Sequence, residues 1–193
     1  MEIDRAARAI REGGLVVYPT ETVYGLGADA LSGTAIERVF TVKGRSYTKP
    51  LSMAVPDVET ATKHTTLTAR ERAFIETFLP GPVTVLVEAD PEIPDELIAG
   101  GDRVGIRIPD HDLALSLLRE LSPITATSAN RSGNPSVRRV ADLDPAVCEA
   151  VDYIVDGGEL SGTESTVVDV EAGEIHRRGA LTEEIETWLQ TEQ

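Results

Sequence analysis

Short apolar runs recur along the chain, each bounded by glycine, proline or polar residues. Such runs are typical of strands buried in a sheet. Gly13 and Gly14 precede the first run, and Pro19 follows it. The pattern predicts strands at 15–18, 51–55, 83–87, 104–108, 123–127 and 153–155, and a hairpin of 166–170 with 174–178.

Between these runs, apolar residues recur at the spacing of one helical face. Thr34 and Asp110 are predicted N-caps, because short polar side chains accept hydrogen bonds from first-turn amides. In the helix that ends near residue 79, Ala73, Phe74 and Phe78 are predicted to face inward. The pattern predicts helices at 2–12, 34–43, 68–79, 111–121, 140–151 and 181–190, and a loop at 90–102.

Strands and helices alternate without a break in composition and without an internal repeat. This order predicts a single α/β domain over residues 1–193, with a twisted, open, mixed sheet and flanking helices. At 193 residues the chain is long enough to bury a sizeable core.

The segment after the first strand is rich in hydroxyl groups and glycine. Thr20 and Thr22 lie in it, and Gly25 and Gly27 lack the Cβ atoms that would keep a ligand away from the backbone. Open α/β sheets place ligands beyond the carboxyl ends of their strands. The alternative is a structural turn in which the threonines bond the local backbone. The pattern alone leaves both interpretations open.

Composition limits the classes of partner. The formal net charge is -15 and the pI is about 4.5, which disfavours sequence-independent attraction to nucleic acid or anionic lipid. No apolar run approaches the roughly 18 residues of a membrane span, and the N-terminus lacks a signal-peptide core. We expect a soluble, cytoplasmic protein without a membrane partner.

The basic residues are fifteen arginines and three lysines, a bias typical of salt-adapted proteins. Lys43 and Lys49 flank Arg45, so two of the three lysines lie within one short segment. The single cysteine, Cys148, excludes an internal disulfide and favours a reducing compartment. Its neighbours predict a buried thiol on a helix.

Three strand ends open into Ser, Thr, Asn and Gly, at 19–27, 127–136 and 157–165. Hydroxyls and backbone amides cradle phosphate or carboxylate oxygens, and arginine adds a forked charge. Arg107 and Arg177 lie at strand positions. For Arg107 the alternative is an exposed strand residue that pairs with a neighbouring acid. The residues thus predict an anion-binding pocket lined by hydroxyls.

Established nucleotide and metal signatures are missing. The sequence contains neither a Gly-Lys-Ser/Thr loop nor a G-x-G-x-x-G loop. His64, His111 and His176 are isolated, so no metal site from protein side chains is predicted. Ser128 and Ser165 lack the sequence context of a nucleophile elbow.

Five ordered motifs resemble those of the YrdC-like family and cover about 13–180. They are YPTETVYGLG at 18–27, KGR at 43–45, VGIRIP at 104–109, TSANRSG at 127–133 and ESTVVD at 164–169. The resemblance implies the family's twisted, open α/β sheet (a DHBP synthase-like fold) around a positively lined cavity. It also implies the minimal form of the family, without the long C-terminal extension of some relatives.

The resemblance implies L-threonylcarbamoyladenylate synthase activity, a nucleotidyl transfer. L-threonine, bicarbonate and ATP, with Mg²⁺, would give threonylcarbamoyl-AMP and pyrophosphate. The product would pass to a threonylcarbamoyl-transferase complex that modifies adenosine in tRNA. Direct tRNA binding by this chain is not expected, because its net charge is negative. Two rivals stay open: a paralogue with another acyl-adenylation activity, and a non-enzymatic RNA-binding module.

The resemblance also assigns residues. Those implied to bind L-threonine are Thr22, Arg107, Ala126 through its backbone, and Ser165. Those implied to bind ATP are Arg45, Lys49, Arg103, Ser128, Asn130, Ser136 and Arg177, and the implied catalytic pair is Lys43 and Arg45. The chain departs from many relatives at Lys49 (Asn), Ala54 (His) and Arg103 (Thr), and these differences bear on amino-acid selectivity.

Overall fold

The alternation of strands and helices appears in the computed structural model, which describes residues 2–191. The predicted domain limits also include Met1, Glu192 and Gln193, which lie outside the described residues. The helices are α1 (Glu2–Arg11), α2 (Gly33–Lys43), α3 (Val58–Ala61), α4 (Ala69–Phe78), α5 (Asp95–Ile98), α6 (Asp112–Glu120), α7 (Pro145–Ala150) and α8 (Thr182–Thr191), with a 3₁₀ turn at Val140–Asp142. The strands are β1 (Val16–Tyr18), β2 (Gly25–Gly27), β3 (Ser52–Ala54), β4 (Thr65–Thr66), β5 (Val83–Ala89), β6 (Arg103–Arg107), β7 (Ile124–Ser128), β8 (Tyr153–Ile154), β9 (Thr166–Asp169) and β10 (Glu174–Arg177).

The strands form one open, mixed sheet, as the sequence predicts. Their order is β10-β9-β5-β6-β3-β7-β2-β1-β8, and β4 pairs with β5. Three pairs on this path are parallel, β5 with β9, β3 with β6 and β1 with β8, and the others are antiparallel. The predicted hairpin is β9 with β10. The central strands β6 and β3 are paired on both sides, which makes them a rigid base for a site.

Side chains alternate between the two faces of each strand, and helices cover both faces. In β1, Val16 packs in an apolar cluster with Ile10 of α1 and Leu117 of α6. Val17 points the opposite way, into the larger cluster that contains residues of α2, α4, α5, α7 and α8. The sheet is therefore the middle of three layers. No helix within residues 2–191 is long and apolar enough to cross a membrane.

Several predicted helix boundaries are wrong because a nearby residue caps the helix instead. Ser32 rather than Thr34 caps α2, and its side chain accepts the amide of Ala35. His111 rather than Asp110 caps α6. The predicted helix at 140–151 splits into the 3₁₀ turn and α7, because Asp144 caps a new helix with proline at its first turn.

Some predicted positions have the opposite exposure. In α4 Ala73 is exposed and Ile75 is buried, whereas Phe74 faces inward as predicted. Cys148 is on α7 but is exposed, so the prediction of a buried thiol is wrong. The predicted loop at 90–102 contains α5, whose Leu97 is fully buried.

The glycines of the first loop form β2 rather than an open turn, and they have a packing role. A Cβ at Gly25 would lie 2.8 Å from the Tyr18 ring, and one at Gly27 would lie 3.0 Å from it. The ring of Tyr18 thus lies against the backbone of the neighbouring strand. The sequence predicted that a ligand approaches the backbone at these glycines, but in the structure the Tyr18 side chain lies there.

Candidate active site

A cavity of about 480 Å³ opens on the face of the sheet that carries α1 and α6. Ala54 and Ile124 pack in the cluster formed with these helices. Ser52 and Ala126 are two residues away on the same strands, so they share that face and line the cavity. The floor of the cavity is therefore the part of this sheet face that α1 and α6 leave uncovered.

Gly105 lies at the centre of this floor, between Arg103 and Arg107 on the same face of β6. A Cβ there would lie 2.3 Å from the Ser52 Oγ and 2.9 Å from the Thr84 Cγ2. No side chain fits between these neighbours. The floor is flat at this point, and an arginine lies at each end of it.

The three hydroxyl-rich loops predicted from the sequence meet around the cavity. The amide of Gly162 donates to the carbonyl of Thr22 at 2.8 Å, which joins the third loop to the first. The amide of Ala129 donates to the carbonyl of Tyr24 at 2.8 Å, which joins the second loop to the first. Segments more than 100 residues apart thus form one wall.

The two threonines of the first loop both line the cavity but differ in their hydrogen bonds. Thr20 Oγ1 donates to the Val23 carbonyl at 2.7 Å and accepts the amides of Thr22 and Val23. It stabilises the local turn. Thr22 Oγ1 lies 2.8 Å from the Thr20 Oγ1 and also accepts from the Arg107 guanidinium at 3.3 Å. A contact of Thr22 with a ligand stays a prediction.

Lys43 lies behind the second loop rather than in the cavity wall. Its Nζ donates to the carbonyl of Ser128 and, at 2.7 Å, to that of Asn130, and the residue is only 2% exposed. Burial, followed by the nearby charge of Arg45, lowers the pKa of Lys43 to about 8. Asn130 donates to the carbonyls of Arg131 and Asn134, and its Oδ1 is buried without a hydrogen-bond partner. In this arrangement both residues shape the loop that carries Ser128.

Arg107 is buried at one end of the floor, with its residue 6% exposed. Its Nη2 donates to Glu21 Oε1 at 2.7 Å as well as to Thr22. Arg107 therefore pairs with an acid, as the alternative interpretation expects, but it is not an exposed strand residue. Its Nε and the Glu21 Oε2 are buried without partners. Such unused donors and acceptors cost free energy and call for a physical explanation.

Arg45 and Arg177 both line the cavity. Arg177 donates from Nε to the Ser165 carbonyl at 3.0 Å and from Nη2 to the Ser165 Oγ at 2.8 Å. Arg45 donates to the carbonyls of Lys49 and Pro50, which shapes the segment after α2. Burial lowers the pKa of each guanidinium, and the charge of Arg177 contributes at Arg45. The cavity thus concentrates positive charge that an anion would relieve.

Arg103, at the other end of the floor, is held by two acids. Its Nη2 donates to the Leu86 carbonyl at 2.7 Å and contacts Glu71 Oε1 at 3.3 Å and Asp169 Oδ1 at 3.2 Å. Burial raises the pKa of Glu71, although Arg103 opposes that shift. These partners anchor Arg103 to α4 and β9.

Most of the residues predicted for the site line the one cavity, and three do not. Lys43, Asn130 and Ser136 are outside its lining, although Ser136 Oγ donates to Glu164 Oε1 and Glu164 is in the wall. The residues that line it are Thr22, Arg45, Lys49, Arg103, Arg107, Ala126, Ser128, Ser165 and Arg177. Ala54 is fully buried in the apolar cluster with α6 and is not in the lining.

Sequence reasoning missed some cavity residues. Ser52 and Thr84 are polar positions within apolar strands, and this break in the pattern could have marked them. His176 lines the cavity because a bulge in β10 shifts the register between Ile175 and Arg177. No sequence pattern identified this bulge. Among residues 2–191, no three His, Cys, Asp or Glu side chains gather into a possible metal site.

A cavity lined by guanidinium and hydroxyl groups on an open mixed sheet is typical of α/β proteins that bind anions. Such a site is suited to align phosphates and carboxylates. Residues 8–179 match the model of the Sua5/YciO/YrdC family, which is described as "Telomere recombination". The chain belongs to this family.

Relatives with assigned names agree with the family match. The chain is 41% identical over 169 residues to the Threonylcarbamoyl-AMP synthase of Pyrococcus abyssi, covering 86% of this chain and 49% of that protein. It is 39% identical over 154 residues to the Threonylcarbamoyl-AMP synthase of Nitrosococcus oceani, covering 79% of this chain and 83% of that protein. The chain thus spans about half the length of the first relative and most of the second.

The fold is also similar to a solved structure with a bound amino acid. The crystal structure of P. abyssi Sua5 complexed with L-threonine superposes with a TM-score of 0.88 at 39% identity. The similarity covers 96% of this chain and 56% of that one. This similarity confirms the predicted fold class.

Proposed function

We propose that the chain is a threonylcarbamoyl-AMP synthase, which makes threonylcarbamoyl-AMP and pyrophosphate from L-threonine, bicarbonate and ATP. The observation that carries the proposal is the convergence of Thr22, Arg45, Arg107, Ser165 and Arg177 on one cavity. The names of the Pyrococcus and Nitrosococcus relatives support it.

In this proposal the amino acid binds at the Arg107 end. The guanidinium takes the carboxylate of L-threonine, and Thr22, Ser165 and the backbone of Ala126 position its hydroxyl and main chain. The unpartnered Nε of Arg107 supports this assignment, because it is a buried donor without an acceptor. Each charge-assisted hydrogen bond contributes about 1.5–3 kcal/mol.

In the same proposal, ATP binds along the positively charged walls of the cavity. Arg45 and Arg177 neutralise phosphate charge, and the Ser128 side chain donates to phosphate oxygens. Lys49 and Arg103 supply further positive charge along the nucleotide, and Asn130 and Ser136 extend this side of the site. Lys43 acts by holding the Ser128 carbonyl in place. ATP is taken up as its Mg²⁺ complex, in which the ion would supply further positive charge to the phosphates.

The proposed chemistry needs alignment more than a protein nucleophile. The α-ammonium of threonine first loses a proton to solvent, and the resulting amine attacks bicarbonate, from which water leaves to give a carbamate. A carbamate oxygen then attacks the α-phosphorus of ATP, and the bond to pyrophosphate breaks. Nucleotidyl transfer of this kind depends on positioning and on charge neutralisation. The product is a reactive adenylate, and we propose that a tRNA threonylcarbamoyl-transferase consumes it in the cytoplasm.

The direct test is incubation of the protein with ATP, L-threonine, bicarbonate and Mg²⁺, followed by mass detection of the adenylate and measurement of pyrophosphate. The expected result is a product that requires all three substrates. Omission of bicarbonate under carbon-dioxide-free conditions is the matched control. Pyrophosphate release that ignores L-threonine would contradict the proposal.

A further inference from the structure

The charges around the cavity are strongly unequal. Five cationic side chains line it: Arg45, Lys49, Arg103, Arg107 and Arg177. Among the lining residues that the structure describes, Glu164 is the single carboxylate. A lone acid in this pocket would repel phosphates, and besides offsetting the charge of Arg177 it is the one carboxylate of this lining that could accept from a cationic ligand group.

Glu164 is placed to meet such a group. It precedes Ser165, so the two residues share one segment of the cavity wall. Its Oε1 accepts the Ser136 hydroxyl, whereas its Oε2 has only a loose contact of 3.8 Å with Arg177 Nη1. The side chain is 46% exposed. One carboxylate oxygen is therefore available without breaking a short ion pair.

A free α-amino acid carries both charges, a carboxylate and an ammonium group a few ångströms away. If Arg107 takes the carboxylate, the ammonium needs an acceptor near the same end of the cavity. The loop that carries Glu164 reaches this end of the cavity, because the amide of Gly162 donates to the Thr22 carbonyl at 2.8 Å and the Thr22 Oγ1 accepts from Arg107 at 3.3 Å. We propose that Glu164 binds the α-ammonium group of the amino-acid substrate and selects a zwitterion over a simple carboxylate. This inference rests on the proposed function.

Glu21 is the other carboxylate near this end, but it is less well placed. Its Oε1 is bonded to Arg107 at 2.7 Å, and its Oε2, although it has no hydrogen-bond partner, is buried in a residue that does not line the cavity. Glu21 acts through Arg107 and so influences any ligand with a carboxylate.

The test compares two ligands by titration calorimetry without ATP. One ligand is L-threonine, and the other is (R)-3-hydroxybutyrate, which keeps the carboxylate and hydroxyl but lacks the ammonium. Wild type should prefer L-threonine by about 10-fold or more, the size of one charge-assisted hydrogen bond. Glu164→Gln should lower the affinity for L-threonine by about 10–100-fold and leave the affinity for 3-hydroxybutyrate unchanged or higher.

Two variants serve as comparisons. Glu159→Gln, on the same loop, removes an exposed acid that pairs with Arg138 and Arg139, and it should leave both affinities and the melting temperature unchanged. Glu21→Gln should change the affinities for both ligands by a similar factor, because Glu21 acts on the carboxylate site that both ligands share.

Several results would overturn the inference. They are equal weakening of both ligands by Glu164→Gln, no effect of that variant, loss of ammonium preference in Glu21→Gln alone, or an effect of Glu164→Gln that appears only with Mg²⁺ and an ATP analogue. Selective L-threonine binding without adenylate formation would sink the proposed function and leave this inference standing. Adenylate formation by the wild type, together with unchanged ligand affinities in Glu164→Gln, would overturn this inference and leave the proposed function standing.

Discussion

Replacing Gly105 with alanine should damage the cavity floor more than the fold. The new Cβ would lie 2.3 Å from the Ser52 Oγ and 2.9 Å from the Thr84 Cγ2. Carbon atoms in good contact are about 3.5–4.0 Å apart, so the neighbours on β3 and β5 must both move. Overpacking of this kind costs about 1–3 kcal/mol. For a domain of this size, that corresponds to a fall in melting temperature of about 2–12 °C.

The same Cβ stands on the ligand side of β6, between Arg103 and Arg107. Titration calorimetry with L-threonine and a non-hydrolysable ATP analogue, at a temperature well below the transition, should therefore show at least one affinity lowered by about 10-fold or more. Gly33→Ala is the matched control, because its Cβ meets only the flexible carboxylate end of Glu96, at 3.1 Å. Native affinity for both ligands in Gly105→Ala would refute the assignment of this floor as the binding surface.

Other predictions address the charges around the cavity. Arg45→Ala should abolish pyrophosphate release that depends on threonine and bicarbonate while circular dichroism stays native; full activity would remove Arg45 from the site. Arg107→Lys keeps the charge but loses the fork, so the KM for L-threonine should rise about 10–100-fold with the KM for ATP nearly unchanged; equal changes in both would contradict a local role. Because the pKa of Lys43 is lowered from 10.5 to about 8, the unfolded chain holds a proton between these values that the folded protein has released. The free energy of unfolding of wild type, measured in urea against Lys43→Met, should therefore rise from pH 8 to pH 10, and a flat difference would show that Lys43 is not desolvated as described.

The pattern of the chain was sufficient for most of the secondary structure and for the fold class. Apolar runs identified the major strands, because a buried strand needs apolar side chains on both faces. The exceptions have local causes. Ser32 and His111 cap their helices in place of the predicted residues. The helix α5 has too few residues to show a periodic pattern. A two-residue strand such as β4 has no pattern to detect.

Sequence by itself determined the family and the residue types of an anion-binding site, because these depend on ordered motifs and on side-chain chemistry. It also showed that Arg107 leaves the apolar alternation of its strand. Only the tertiary structure decided what each side chain meets. Arg107 pairs with Glu21, which is 86 residues away, and Lys43 supports a carbonyl 85 residues away. The physical reason is that periodicity fixes the face on which a residue lies, whereas its partners depend on how distant strands and loops pack.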